Sequence, residues 1–228
     1  ELDGLRAFAI IPVLLFHFGV TSLSGGYLGV DIFFVISGYL ITSIIAKEIE
    51  NENFSIELFY VKRIKRILPA LFTVLFLTYM ISFLILSPNQ FKNVSQELVA
   101  TATFSSNFYY MLTQNYFSSS AEETILLHTW SLAVEEQFYI FFPLVLVFFK
   151  KKKHLIITII TLMLLSFLCA VNMALNDSTV NFFFTPSRIW ELLVGALIAI
   201  NYKRLYQLGF DLRNALSMLG AIIVLLSL

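Results

Sequence analysis

Charged residues are scarce in this sequence, and their scarcity decides the class of protein. Asp, Glu, Lys and Arg together make up 13% of the 228 residues, whereas hydrophobic residues make up 58%. Soluble domains have about a quarter charged residues and about half apolar ones. The mean hydropathy is +0.83, so the composition predicts an integral membrane protein whose first partner is the lipid bilayer.

The sequence also has little of what several other functional classes need. Its formal net charge is zero, with 15 cations and 15 anions, so no basic surplus indicates binding to nucleic acid. Cysteine occurs once, as Cys169, which excludes an internal disulfide. No HExxH or Cys/His spacing predicts a metal site, and there is no GxSxG elbow or P-loop. What remains is acid–base chemistry by His and Glu, with arginines to hold an anion.

Seven apolar stretches approach the roughly 20 residues that cross a bilayer. They are 7–23, 30–46, 67–86, 132–149, 155–175, 189–202 and 213–228. The predicted fold is therefore all-α, a polytopic bundle of transmembrane helices. Because the chain starts without Met and ends inside an apolar stretch, we expect residues 1–228 to form a single membrane domain that is truncated at its C-terminal end.

Basic clusters predict the orientation of these spans. The clusters at 62–66, at 150–153 and at Lys203 and Arg204 fall on one side if the seven spans are correct. Cytoplasmic loops carry the excess of Lys and Arg, so that side and the N-terminus are predicted to be cytoplasmic. The segment 91–127 is only moderately apolar, and we expect it to lie in the interface or to re-enter the membrane.

Arg6 and His17 interrupt the first apolar stretch. They are eleven residues apart, which places them on nearly the same face of an α-helix, about 16 Å apart along its axis. Ionisable residues inside a span must find partners or water, so they are functional candidates by default. The structural alternative is a histidine that hydrogen-bonds to a neighbouring helix, with Arg6 as a cytoplasmic anchor.

The basic cluster KRIKR opens the third span. Lys62, Arg63 and Arg66 share one helix face, because they are spaced at i, i+3 and i+4. Such a cluster most often only sets the orientation of a span. Its functional alternative is a site for an anionic group such as phosphate, which arginine contacts with two parallel hydrogen bonds.

A second polar cluster lies at the start of the fourth span, in the stretch LHTWSLAVEEQFY. His128, Glu135 and Tyr139 recur at intervals that line one stripe of a helix. A carboxylate is costly in lipid unless it is paired or faces water. The helix N-terminus explains one acid there, but it does not explain the whole cluster. Four further residues belong to the cluster: Trp130, Ser131, Glu136 and Gln137.

A last polar pair lies at the start of the sixth span. Arg188 and Glu191 are three residues apart, so a helix brings their charges together. Structural pairing inside the membrane and a functional role are both open interpretations.

Five blocks of this sequence occur in an order and spacing that resemble a known family. They are ELDGLRAFAIIPVLLFHF, GGYLGVDIFFVISGYLI, FYVKRIKRILPA, LLHTWSLAVEEQFYIFFPL and RIWELLVGAL. Together they resemble the integral-membrane acyltransferase family 3, of the O-antigen and peptidoglycan O-acetyltransferase type, over nearly the whole chain. The family's basic motif usually reads Arg-Arg-x-x-Arg. Here Lys62 occupies the first position of the motif, which keeps the positive charge but loses the planar guanidinium fork of arginine.

The resemblance implies a multi-pass O-acyltransferase of the plasma or bacterial inner membrane. Its donor would be cytoplasmic acyl-CoA, usually acetyl-CoA, and its acceptor a hydroxyl of an extracytoplasmic carbohydrate such as O-antigen or peptidoglycan. It implies no metal. It also implies about ten spans of bilayer length in a full domain, followed in some members by an SGNH hydrolase-like domain.

Residue roles follow from the resemblance read together with side-chain chemistry. The cations would hold the phosphates of CoA: Arg6, Lys62, Arg63 and Arg66. His17 would act as general base on the acceptor hydroxyl, or would carry the acyl group briefly. Glu135 and His128 would position the acceptor or assist proton transfer. The other candidates would support the acceptor or the helices: Asp31, Trp130, Ser131, Glu136, Tyr139, Arg188 and Glu191.

Two other classes of function remain open. A proton-coupled transporter or flippase would also place His, Arg and Glu inside a membrane. A carrier needs no affinity for CoA, so the basic motif separates the two classes. A structural scaffold is the third interpretation, and it predicts that His17 can be lost without consequence.

Overall fold

The structure, a computed structural model, describes residues 2–18, 25–113, 124–149 and 151–227. Within those ranges every regular element is helical, which confirms the predicted all-α class. The helices are α1 (Leu2–His17), a 3₁₀ turn (Gly26–Leu28), α2 (Gly29–Glu50), α3 (Ile56–Ile85), α4 (Pro88–Ala102), α5 (Ser106–Thr113), α6 (Thr129–Phe148), α7 (Lys152–Asn176), α8 (Ser178–Phe183), α9 (Thr185–Tyr206) and α10 (Phe210–Ser227).

Helices α1, α2, α3, α6, α7, α9 and α10 lie at the seven predicted spans. Among the described residues, four helical segments are long and apolar enough to cross a membrane, namely Gly26–Glu50, α3, α6 and α7. These helices confirm the predicted polytopic bundle. The first span was predicted to run to residue 23, whereas α1 ends at His17. Residues 19–24 of that span lie outside the described residues.

The moderately apolar segment before α6 forms two short helices, α4 and α5. Helix α4 begins with Pro88, a residue suited to the first helical position. The N–H and the hydroxyl of Ser87 both donate to Oε1 of Gln90, at 3.2 and 2.8 Å, and so fix this end. Helix α4 packs against α3 and α5, and α5 packs against α6 and α8. Neither α4 nor α5 is long enough to be a span, in agreement with the prediction, and residues 114–123 lie outside the described part.

Contacts along the chain group it into two compact units. The first unit comprises residues 1–46, 149–163 and 190–228, and the second comprises 47–148 and 164–189. The first unit therefore contains α1, most of α2 and most of α9. The second contains α3 to α6 and α8.

In the first unit, α2 and α9 approach each other at two glycines. A Cβ added to Gly38 would fall on the carbonyl group of Leu192 in α9, and one added to Gly195 would fall on the carbonyl of Val35 in α2. Small residues at such crossings let helix backbones approach closely in membranes. Gly38 is therefore explained by helix packing.

Candidate active site

The three cations that were predicted to share a face of α3 have different surroundings. Nζ of Lys62 lies 3.2 Å from Oε1 of Glu48, and the Lys62 side chain is 59% exposed. Arg63 forms an ion pair with Glu136, at 2.5 Å between Nη2 and Oε1. Arg66 is exposed and makes no hydrogen bond or ion pair within the described ranges. Although the three cations share one spacing pattern, Lys62 is in an exposed ion pair, Arg63 is in a half-buried ion pair, and Arg66 is not in an ion pair within the described ranges.

The Arg63 guanidinium is enclosed by two side chains of α6. Its central carbon lies 3.8 Å from the centroid of the Tyr139 ring, well within the range of a cation–π interaction. Glu136 and Tyr139 are three residues apart and therefore face the same way. The Arg63 and Glu136 side chains are 20% and 11% exposed. Removing one partner of a pair this enclosed leaves an uncompensated charge, which costs about 3–5 kcal/mol when the pair is fully buried.

A pocket of about 210 Å³ opens beside this ion pair, between α3 and α6. Its lining is mostly apolar, and the polar residues in it are the ion pair, Tyr139 and Tyr60, whose hydroxyl makes a defined contact. That hydroxyl donates to the carbonyl of Ile140 at 2.6 Å and joins the two helices. Sites for whole small molecules usually measure about 300–1,000 Å³. The pocket is therefore suited to a narrow, apolar part of a ligand whose charged part lies elsewhere.

The start of α6 separates the predicted stripe into two parts. His128 lies in the turn before the first helical residue, Thr129, and is exposed. The Ser131 hydroxyl donates to the His128 carbonyl at 3.1 Å. Glu135 is 8% exposed and Tyr139 is 6% exposed. The helical stripe therefore comprises Glu135 and Tyr139, because the helix begins one residue after His128.

Arg188 and Trp130 form a contact between α6, α8 and α9 in the second unit. Nε of Arg188 donates to the carbonyl of Phe182 at 3.0 Å. Its guanidinium carbon lies 4.8 Å from the Phe182 ring and 5.7 Å from the Trp130 ring. Trp130 is 2% exposed. Both residues therefore have a packing role here, and the predicted pairing of Arg188 with Glu191 stays a prediction.

The remaining predicted residues belong to the first unit: Arg6, His17, Asp31 and Glu191. Nδ1 of His17 lies 2.7 Å from the Val13 carbonyl. A carbonyl oxygen only accepts, so Nδ1 carries the proton and Nε2 of the neutral ring keeps its lone pair. His17 is exposed at the end of α1. Its ring is therefore in the tautomer that a base acting through Nε2 requires.

Arg6 lies on α1 with His17, as predicted, and is half-buried. Asp31 lies in the first turn of α2 and is also half-buried. Glu191 is 1% exposed within α9. None of the groups of His, Cys, Asp and Glu in the described residues has the geometry of a metal site.

Glu97 is a buried acid that the sequence did not single out. Its carboxylate accepts the Tyr110 hydroxyl at 3.3 Å and the backbone N–H of Leu126 at 3.1 Å. The second bond ties α4 to the turn that carries His128. Burial raises the pKa of Glu97 above its ordinary value, and both hydrogen bonds oppose the rise. Burial also raises the pKa of Tyr110, with the Glu97 charge as the next cause.

Replacing Glu97 with Gln is expected to remove part of the pH dependence of stability. The folded protein holds the Glu97 proton more tightly than the unfolded chain does. Its contribution is therefore fully present below the ordinary glutamate pKa of 4.5 and is lost as pH rises through the raised value. Glu97→Gln keeps an acceptor for Leu126 without the charge, so its melting temperature is expected to fall less than that of wild type over this window.

The control is Glu97→Ala, which loses both hydrogen bonds. It is expected to lower the free energy of unfolding by about 1–3 kcal/mol across the pH range. Thermal unfolding in detergent from about pH 5 to about pH 8 measures all three proteins. A Gln variant whose melting temperature follows that of wild type at every pH would contradict the prediction.

The sequence also did not predict the partly buried network of amide hydrogen bonds around Gln137. Nε2 of Gln137 donates to the Phe104 carbonyl and to Oδ1 of Asn107, each at 2.9 Å. The Thr185 hydroxyl donates to Oε1 of Gln137 at 2.5 Å, and Nδ2 of Asn107 donates to the Phe183 carbonyl at 3.0 Å. Since the donors and acceptors of both amides are used, the network fixes α5, α6 and α9 and is not free to bind a ligand.

Comparisons with known proteins give the family. A family model described as an acyltransferase domain matches residues 1–228. The O-acetyltransferase OatA of Staphylococcus aureus is 38% identical over 208 residues, which cover 87% of this chain and 34% of that protein. An uncharacterized protein of Haemophilus influenzae is 41% identical over 206 residues, covering 85% of this chain and 84% of that one.

The chain spans about a third of the length of the staphylococcal relatives it matches. No solved structure matches it. The family model nevertheless extends from the first residue to the last, across the five blocks that carry the resemblance. The predicted family is confirmed: this chain belongs to the acyltransferase family 3.

Proposed function

We propose that this chain is the membrane part of an O-acyltransferase. It moves an acyl group, in the first instance acetyl, from cytoplasmic acyl-CoA to a hydroxyl of an extracytoplasmic carbohydrate. The observation that carries the proposal is the match of an acyltransferase model to the whole chain. A relative named as an O-acetyltransferase supports the choice of an oxygen acceptor.

His17 performs the proton transfer in this proposal. Its Nε2 lone pair takes the proton of the acceptor hydroxyl while the hydroxyl oxygen attacks the thioester carbonyl. The carbon–sulfur bond then breaks, and the proton returns from the imidazolium to the CoA thiolate. In the alternative sequence, Nε2 attacks the thioester carbonyl, the carbon–sulfur bond breaks and the CoA thiolate leaves. The acyl group then passes from Nε2 to the acceptor oxygen, and the proton of the acceptor hydroxyl goes to the CoA thiolate. Both sequences use the tautomer that the bond to Val13 fixes.

The donor is held at the basic motif of α3. CoA carries several phosphate charges, and arginine contacts phosphate through charge-assisted hydrogen bonds. The pocket between α3 and α6 is narrow and mostly apolar, which suits the uncharged arm of the donor. Glu135 and His128 act on the acceptor side. The positions of the basic clusters support a cytoplasmic N-terminus in a plasma or inner membrane.

The test uses the full-length protein in liposomes with radiolabelled acetyl-CoA and a mixed glycan acceptor. Covalent label on the glycan, with one free CoA released per acetyl group, is expected. A transporter or flippase would release no CoA and would leave the glycan unlabelled. That outcome, in a preparation shown to be folded, would refute the proposed reaction.

A further inference from the structure

We infer that the two arginines of the basic motif of α3 have different roles. Arg66 contacts the phosphates of the donor, whereas Arg63 is a positioning residue held by Glu136 and Tyr139. The inference rests on the proposed function and narrows the donor site within it. It also gives Glu136 a role on the donor side, as the counter-ion of Arg63.

The first argument is the geometry of the Arg63 guanidinium. Arginine usually reads a phosphate with two adjacent N–H groups. Nη2 of Arg63 is already 2.5 Å from Glu136, and Nε is buried. The edge formed by these two nitrogens is therefore closed to an anion. The Tyr139 ring lies against the guanidinium face, with its centroid 3.8 Å from the central carbon.

The second argument is charge. An arginine paired with a carboxylate presents no net charge, and a phosphate that approached Arg63 would also meet Glu136. Little solvent screens these two side chains, which are 20% and 11% exposed. A phosphate would therefore be repelled by Glu136 about as strongly as it is attracted by Arg63.

The third argument is the contrast with Arg66. It lies one turn further along α3, is exposed, and makes no hydrogen bond or ion pair in the part of the chain that the structure describes. Its whole guanidinium fork is thus available for bidentate contact. The Lys62–Glu48 pair is exposed, and such pairs exchange readily with other ions. Lys62 can therefore add positive charge near Arg66, but its ammonium group lacks the planar fork of a guanidinium and cannot make a bidentate contact.

The first experiment tests whether Arg63 is held by Glu136. Arg63→Met and Glu136→Met are each expected to lower the melting temperature of the purified full-length protein. The double variant is expected to recover most of the loss, because it leaves no unpaired charge. Additive losses in the double variant would overturn the positioning role. This measurement requires no ligand.

The second experiment tests which arginine contacts the donor, with coenzyme A as the probe. Coenzyme A is expected to raise the melting temperature of the wild type and of the Arg63→Met/Glu136→Met variant. The rise is expected to disappear in Arg66→Ala, whose KM for acetyl-CoA should increase at least about 10-fold with little change in kcat. Lys65→Ala is the matched control, since it removes an adjacent exposed cation and is expected to keep the rise.

Two results would overturn the inference. One is retention of the coenzyme A effect in Arg66→Ala, and the other is its loss in the Arg63→Met/Glu136→Met variant. A wild type that shows neither acetyl transfer nor a coenzyme A effect would refute the proposed function and the assignment of Arg66. The thermal comparison of the single and double variants still decides whether Glu136 holds Arg63.

Discussion

Replacing His17 with Ala is expected to reduce acyl transfer by about 10²- to 10⁴-fold, the range that a positioned general base contributes. The protein is expected to stay folded. His17 is exposed, and its Nδ1 donates a hydrogen bond within α1 to the Val13 carbonyl. Exposed substitutions of this kind usually change stability by less than about 0.5 kcal/mol. Labelled transfer in liposomes and thermal unfolding of the same preparation measure the two effects separately.

Two further variants make the His17 result specific. His17→Gln keeps a polar side chain but has no basic nitrogen, so it is expected to be as inactive as His17→Ala. His154→Ala removes an exposed histidine of α7 and is expected to transfer label as the wild type does. If His17→Ala also transferred label at the wild-type rate, the family would stand, but the base would have to be another residue.

The acyl-histidine sequence makes a separate prediction. If Nε2 carries the acyl group, labelled acetyl-CoA without acceptor should leave acid-labile label on the wild-type protein and none on His17→Ala. Direct transfer predicts no labelled protein in either case. The same preparation and the same donor thus distinguish the two sequences of bond formation.

Hydrophobic patterning was enough to predict most of the fold. The apolar stretches that became α2, α3, α6 and α7 are long and carry few charges, and lipid requires such stretches to be helical. The segment 91–127 is only moderately apolar, and it could be excluded as a span because an extra crossing would put the four lysines at 150–153 on the outside. Its division into α4 and α5 depends on local features, such as Ser87 and Pro88 at the start of α4.

The candidate site was harder to predict. The spacing of residues in the sequence shows which side chains share a face of a helix, but it does not show which residues of other helices contact them. Lys62, Arg63 and Arg66 share a spacing, yet their surroundings differ because Glu48 and Glu136 come from other helices. Arg63 and Glu136 are 73 residues apart in sequence. Adjacent helical residues point about 100° apart, so the choice between Glu135 and Glu136 depends entirely on a neighbouring helix.

The burial of Glu97 could not be predicted either, because it also depends on residues of other helices. An acid in an amphipathic helix such as α4 is usually solvated, and nothing in the local sequence distinguishes Glu97 from a surface residue. Its burial depends on α5 and on the turn before α6, which supply Tyr110 and the N–H of Leu126. Contacts of this range are set by tertiary packing and not by periodicity.

Replacing Gly38 with Ala is expected to separate α2 from α9 and to destabilise the first unit. The new Cβ would fall on backbone atoms of Leu192, which cannot move aside as a flexible side chain can. Overpacking typically costs about 1–3 kcal/mol and sometimes more, and we expect the upper end here because the clash is with backbone. Gly195→Ala acts on the same crossing through the Val35 carbonyl and is expected to have a similar effect.

A matched glycine separates this packing effect from helix propensity. Gly220 also lies in a helix of the first unit, and a Cβ there would meet nothing within 4 Å. Gly220→Ala is therefore expected to leave the melting temperature unchanged or to raise it slightly, since alanine is the better helix former.

The double variant Gly38→Ala/Gly195→Ala should lose less stability than the sum of the losses in the two single variants, because the first substitution has already separated the helices. Thermal unfolding in detergent measures the four variants and the wild type. A Gly38→Ala protein as stable as Gly220→Ala would mean that the two backbones do not touch at Gly38.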